Sequence, residues 1–91
     1  MYILQISDQA KKDIVFLKRT GGKTIINKIE RLLRELMEHP KTGIGRVEQL
    51  KGHQGKLWSR RIDNKHRIVY TINDEIMTVT VIAARGHYGE K

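Results

Sequence analysis

The apolar positions along this chain change their period once. Between Lys23 and Glu38, Ile25, Ile26, Ile29, Leu32, Leu33, Leu36 and Met37 recur at three- and four-residue spacing, which gathers them on one face of a helix. Lys28, Arg31, Arg34 and Glu35 fall on the other face. A first helix is predicted from Ser7 or Asp8, either of which can cap it, to about Arg19, with Ala10, Ile14 and Leu17 on one stripe and Phe16 close by. Thr20-Gly21-Gly22 breaks the helical pattern through glycine's free backbone. Residues 1–6 are apolar and partly β-branched, which predicts an initial strand. Pro40 and Gly43 end the second helix and open a loop. From Arg46 onward the period is two. Strands are predicted over 46–50, 56–62, 66–73 and 76–86, with turns at Asp63-Asn64-Lys65 and Asn73-Asp74-Glu75.

The order β-α-α-β-β-β-β predicts an α+β fold, with two N-terminal helices packed on one face of a twisted, mainly antiparallel sheet. The other face of that sheet is left available. Alternation assigns sides to the strands. Ser59 and Arg61 lie opposite Trp58, Arg60 and Ile62, while Arg67, Val69 and Thr71 lie opposite Ile68, Tyr70 and Ile72. In the last strand Arg85 and His87 share parity with Val79, Val81 and Ala83. A face carrying Glu48, Arg61, Arg67 and His87 is compatible with pleating, although one bulge inverts the parity of everything after it.

Length and charge narrow the picture. Ninety-one residues fit one domain, 1–91. A chain of this size buries about two-thirds of the surface exposed when unfolded. With no cysteine there is no disulfide framework or thiolate metal site, which suits a cytoplasmic location. Met1–Ile6 lacks a basic leader region, so no secretion signal is expected. No apolar run approaches the roughly 20 residues of a membrane span. The net charge is +8 and the pI about 10.1, which points to a polyanion partner, either nucleic acid or an acidic protein. Between Arg46 and Arg67, seven Lys/Arg face only Glu48 and Asp63, and they interleave with Leu57, Trp58 and Ile62. These charges therefore sit on ordered strands.

The residue types in this half match the cleavage of RNA, whose 2′-hydroxyl supplies the nucleophile. A base must deprotonate that hydroxyl, an acid must protonate the leaving 5′-oxygen, and cations must hold the phosphate as its charge grows. Glu48, the acid of its strand among cations, is the candidate base; surface pairing with Arg46 or Lys51 is its plainer reading. His87 is the candidate acid, since histidine ordinarily exchanges a proton near neutrality; its plainer reading is a frayed terminal residue. Arg61 and Arg67 suit a phosphate, because guanidinium matches its oxygens two at a time. Arg60 and Arg61 also read as one inward and one outward charge. Tyr88 can bond the phosphate or stack on a base. Trp58 reads more readily as packing than as a stacking platform, and His66 as a structural residue beside a turn. No zinc-type histidine spacing, two-metal carboxylate cluster or Gly-rich phosphate loop is present in the sequence, and no cofactor is expected.

Several strings, in order and spacing, resemble the YoeB (Txe) toxins of the RelE superfamily, the toxin halves of bacterial toxin–antitoxin pairs. They are Gly43-x-Gly45-x-x-Glu48-x-Leu50-Lys51, Trp58-Ser59-Arg60-Arg61-Ile62, His66-Arg67-Ile68-Val69-Tyr70 and His87-Tyr88. The resemblance implies a RelE-like fold and a metal-independent endoribonuclease acting on messenger RNA in the ribosomal A site. By position it makes Glu48 the general base, His87 the general acid, Arg61 and Arg67 the phosphate-holding groups, Tyr88 a substrate-positioning residue and Lys51 a supporting cation. It also implies a co-expressed acidic antitoxin, and it leaves a homodimer open. The chain departs from the family at Gly86, where some members carry a bulky residue, and in the added Gly89-Glu90-Lys91. The competing readings are a ParE-like gyrase-inhibiting toxin and a non-catalytic RNA- or ribosome-binding module. Neither needs Glu48, Arg67 and His87 together.

Overall fold

The computed structural model describes residues 1–50 and 56–84. Strand β1 (Ile3–Ile6) is followed by the helical element α1 (Asp8–Glu38), then β2 (Glu48–Gln49), β3 (Trp58–Arg61), β4 (Arg67–Asn73) and β5 (Thr78–Ala83). The sheet order is β1-β5-β4-β3-β2. β1 runs parallel to β5 and all other neighbours are antiparallel. The α+β class and the mainly antiparallel sheet agree with the sequence pattern.

The expected pair of helices is present as the two arms of α1, which meet at Gly22 with no loop between them. Gly22 has φ 76° and ψ −173°, outside helical space and accessible in practice to glycine. Lys18 Nζ lies 3.4 Å from Glu30 Oε2. Twelve residues of straight helix span about 18 Å, so this contact requires the chain to fold back at Gly22. No loop separates the arms because a single glycine suffices for the reversal. Ser7 caps the N-terminus, its Oγ accepting from the Ala10 N–H at 3.1 Å.

Both arms bury their stripes on one face of the sheet. Ala10, Ile14 and Leu17 from the first arm and Ile29, Leu32 and Leu36 from the second meet Ile62, Ile68, Tyr70, Val79 and Val81. A smaller cluster of Leu57, Val69 and Ala83, flanked by Leu50 and Ile82, lies on the opposite face. The register shifts at Val69/Tyr70, where Tyr70 pairs with Val81 but Val69 pairs with Ala83. This bulge corrects the expected parity of the last strand. Val79 and Val81 face the helices, whereas Ala83 has crossed to the other face.

The predicted strand over 46–50 is reduced to Glu48–Gln49, because residues 39–47 are drawn into a loop. Gly43 (φ 118°), Gly45 (φ 89°) and Arg46 (φ 52°) all occupy the left-handed half of backbone space there. At Gly45 a Cβ would lie 2.9 Å from Leu32 Cδ2 and 3.1 Å from the Arg61 carbonyl oxygen, so the close approach itself requires glycine.

Candidate nucleic-acid-cleaving site

The face opposite the helices is where the candidate groups converge. β3 is central to it. Glu48 pairs with Ser59 across β2–β3, Ser59 pairs with Val69, and Arg61 pairs with Arg67 across β3–β4. Ser59 is 2% exposed, and its small side chain leaves room above it for the longer ones on either side. Arg67 Nη1 approaches Glu48 Oε1 at 4.0 Å, with the arginine side chain 20% exposed and the glutamate 58%. Arg61 is exposed. Two guanidinium groups directly opposite each other repel, an arrangement that costs stability unless an anion sits near both. This face therefore offers an open carboxylate with one cation beside it and a second on the same face.

Lys51, Arg85, His87 and Tyr88, and with them the expected acid, the supporting cation and the substrate-positioning tyrosine, lie outside the described residues. Among the described residues the structure brings Glu48, Arg61 and Arg67 to one face, as the alternation predicts.

Behind the site is an arrangement that sequence reasoning missed. Arg60 is fully buried, and all five of its N–H donors have acceptors. Nε donates to Tyr70 Oη at 3.2 Å. Nη1 donates to Glu35 Oε1 at 3.2 Å and to the Ile44 carbonyl at 3.4 Å. Nη2 donates to the Thr42 carbonyl at 2.6 Å and to the His39 carbonyl. Tyr70 Oη donates in turn to the Pro40 carbonyl at 2.7 Å. The Arg61 N–H reaches the Gly45 carbonyl at 2.5 Å. The loop from His39 to Gly45 is thus held from below along most of its length, and it leads directly into Glu48. Glu35, read as part of the solvated helix face, instead belongs to this network. Its carboxyl is held below the usual range, first by the Ile44 N–H at 3.2 Å, with partial burial opposing and Arg60 adding to the effect. Burial pushes the Tyr70 phenol up, opposed by its bond from Arg60. The signal available beforehand was an inward arginine on one strand and an inward tyrosine on the next, which the structure sets diagonally across β3 and β4.

Two further polar anchors hold the end of β5 and the turn between β3 and β4. Asp13, 3% exposed on the first helical arm, accepts from the Ala84 N–H at 3.1 Å and from Gln9 Nε2 at 2.9 Å. Asp63 accepts from the backbone N–H groups of Lys65 and His66 at 2.9 and 2.7 Å, and the His66 ring lies 3.1 Å away. His66 is therefore a turn residue, and Trp58 packs against the main core. Burial would raise the Asp63 carboxyl, but these hydrogen bonds outweigh it and the net shift is downward. Among the described residues, no three His, Asp or Glu side chains stand close enough together to hold a metal ion, and no helix is long and apolar enough to cross a membrane.

The sequence and the fold are both similar to those of known proteins. The family described as the YoeB-like toxin of bacterial type II toxin–antitoxin systems matches residues 6–88. A Toxin YoeB of Mycobacterium bovis is 39% identical over 88 residues, covering 97% of this chain and all of the relative. A YoeB/ParE toxin from Agrobacterium tumefaciens superposes with a TM-score of 0.83 at 35% identity, over 94% of this chain and 99% of that one. The toxin of a heterotetrameric YoeB–YefM toxin–antitoxin complex from Staphylococcus aureus has a TM-score of 0.77 at 30% identity, over 97% and 99% of the two chains.

Proposed function

Since this chain belongs to the YoeB-like toxins of bacterial type II toxin–antitoxin systems, we propose that it is an endoribonuclease that cuts messenger RNA in the ribosomal A site. The observation that carries this reading is Glu48 on the open face of the sheet, 4.0 Å from Arg67 and on the same face as the Arg61–Arg67 pair. A surface built only to bind phosphate gains nothing from a carboxylate there, which repels the ligand. A surface built to cleave needs one. Glu48 takes the proton of the 2′-hydroxyl, and the 2′-oxygen forms a bond to phosphorus. Arg61 and Arg67 hold the non-bridging oxygens of the phosphorane, where charge accumulates. The bond to the 5′-oxygen then breaks, and His87 donates the proton that the leaving oxygen requires. The products are a 2′,3′-cyclic phosphate and a free 5′-hydroxyl. Neither water nor metal enters this step.

A small open face offers little to orient a flexible strand. Orientation is worth up to roughly 7–11 kcal/mol in well-aligned systems, and a ribosome that holds the messenger bent supplies that term. The basic surface, including Lys11 and Lys12 on the first helical arm, docks on ribosomal RNA. The same charge suits an acidic antitoxin that masks the face; the Staphylococcus aureus relative is seen in complex with an antitoxin. The test compares initial cleavage rates of one messenger, free and ribosome-bound, for wild type and Glu48→Gln. Fast cutting of ribosome-bound messenger, slow cutting of free messenger and loss of both in a folded Glu48→Gln protein are expected. Full activity in that variant would leave a binding module as the better reading.

A further inference from the structure

The base candidate stands on a strand too short to hold itself. β2 has two residues, and Glu48 is the first of them. Its place is set from one side by the pairing with Ser59 and from the other by the loop that precedes it. That loop has three residues at positive φ and makes no regular secondary structure, so it does not define its own conformation. What defines it is a guanidinium. The carbonyls of His39, Thr42 and Ile44 converge on Arg60, and that of Pro40 is held through Tyr70. Glu35 closes the set by accepting from both Arg60 and the Ile44 N–H.

Arg60 and Arg61 are adjacent on β3, so a pleated strand sends them to opposite faces. One faces the candidate substrate surface, and the other faces the loop. We infer that Arg60 is a positioning residue, which fixes Glu48 for proton abstraction by templating the 39–46 loop from inside. This rests on the reading of Glu48 as the general base. Lysine cannot replace Arg60, because an ammonium presents three donors from a point and cannot span acceptors arranged around a planar fork.

The test is a set of double-mutant cycles in single-turnover cleavage of ribosome-bound messenger, with the folded fraction of each protein measured by circular dichroism. Arg60→Lys, Tyr70→Phe and Glu35→Gln are each made alone and together with Glu48→Gln. A misplacement of about 1 Å costs on the order of 10²-fold in rate, so Arg60→Lys is expected to lose about that much while half-saturation by ribosomes stays within about twofold. Tyr70→Phe and Glu35→Gln are expected to lose less, in the same direction. In the Glu48→Gln background the three substitutions are expected to cost nothing more, because the group they position is gone. Losses that multiply undiminished in that background would overturn the inference and make Arg60 a folding residue. So would unchanged rates in all three single variants. If Arg60→Lys does not fold, the two milder variants carry the same comparison. Full cleavage by Glu48→Gln alone would instead remove the base, and this inference with it.

Discussion

Replacing Gly45 by alanine tests whether the loop before Glu48 is as tightly determined as its contacts indicate. Two costs add. The backbone sits at φ 89°, where an L-residue is strained by about 1–3 kcal/mol. The new methyl would also lie 2.9 Å from Leu32 Cδ2, 3.1 Å from the Arg61 carbonyl oxygen and 3.2 Å from Arg60 Cβ. Leu32 is fully buried and the other two atoms belong to a paired strand, so none can retreat without moving its own neighbours. Overpacking of this kind costs about 1–3 kcal/mol. The sum, about 2–6 kcal/mol, is a large share of the roughly 5–14 kcal/mol expected for a domain of this length. Gly22→Ala supplies the control, because it shares the positive φ but meets nothing within 4 Å. Urea unfolding at 25 °C, read by linear extrapolation, gives both values. Gly45→Ala should cost more than Gly22→Ala, by about the overpacking contribution. Equal losses, or a loss below about 1 kcal/mol at Gly45, would refute the close packing of the loop against β3.

Arg61→Ala and Arg67→Ala should each lower single-turnover cleavage by about 10²-fold, since in the proposed mechanism each removes a donor to the developing phosphate charge; loss of affinity alone, at an unchanged rate on saturated ribosomes, would make them anchors. Asp13→Ala leaves the Ala84 N–H without its acceptor, and a buried donor left unpaired costs about 1–3 kcal/mol; urea midpoints should show this, with Asp13→Asn recovering part of it. The lowered folded pKa of Glu35 means that its contribution to stability is fully present above the ordinary carboxylate range and is lost as pH falls through the folded value. Unfolding midpoints measured from neutrality downward should therefore show wild type and Glu35→Gln converging in acid; a gap that persists at low pH would refute this.

Much of the sidedness was legible because pleating is local. Trp58, Arg60 and Ile62 face the helices and Ser59 and Arg61 face away, as alternation requires. The face shared by Glu48, Arg61 and Arg67 was compatible with parity, and the register of β2, β3 and β4 is what aligns them. Three features were not legible. The glycines marked the break between the helices, but an apolar pattern does not say how many residues the reversal takes, and here it takes Gly22 alone. The bulge beside Val81 depends on how two strands settle against each other, and Thr78–Ala83 alternates without a mark at the fault. Arg60 looked like half of a basic pair, because the carbonyls that satisfy it come from a loop with no side-chain signature.

The parallel pairing of β1 with β5 joins Ile3 to Thr78, residues 75 positions apart. A hairpin closes as soon as its second strand is made, but this ladder cannot. At about 5–20 residues per second, β1 waits roughly 4–15 s during synthesis for its partner. Throughout that interval β1 lacks its partner strand, and the helical arms lack most of the sheet they cover. Such long-range closure is slow in general. The consequence is temporal: β1 cannot take its place in the sheet, and the sheet cannot be completed, until β5 has been translated.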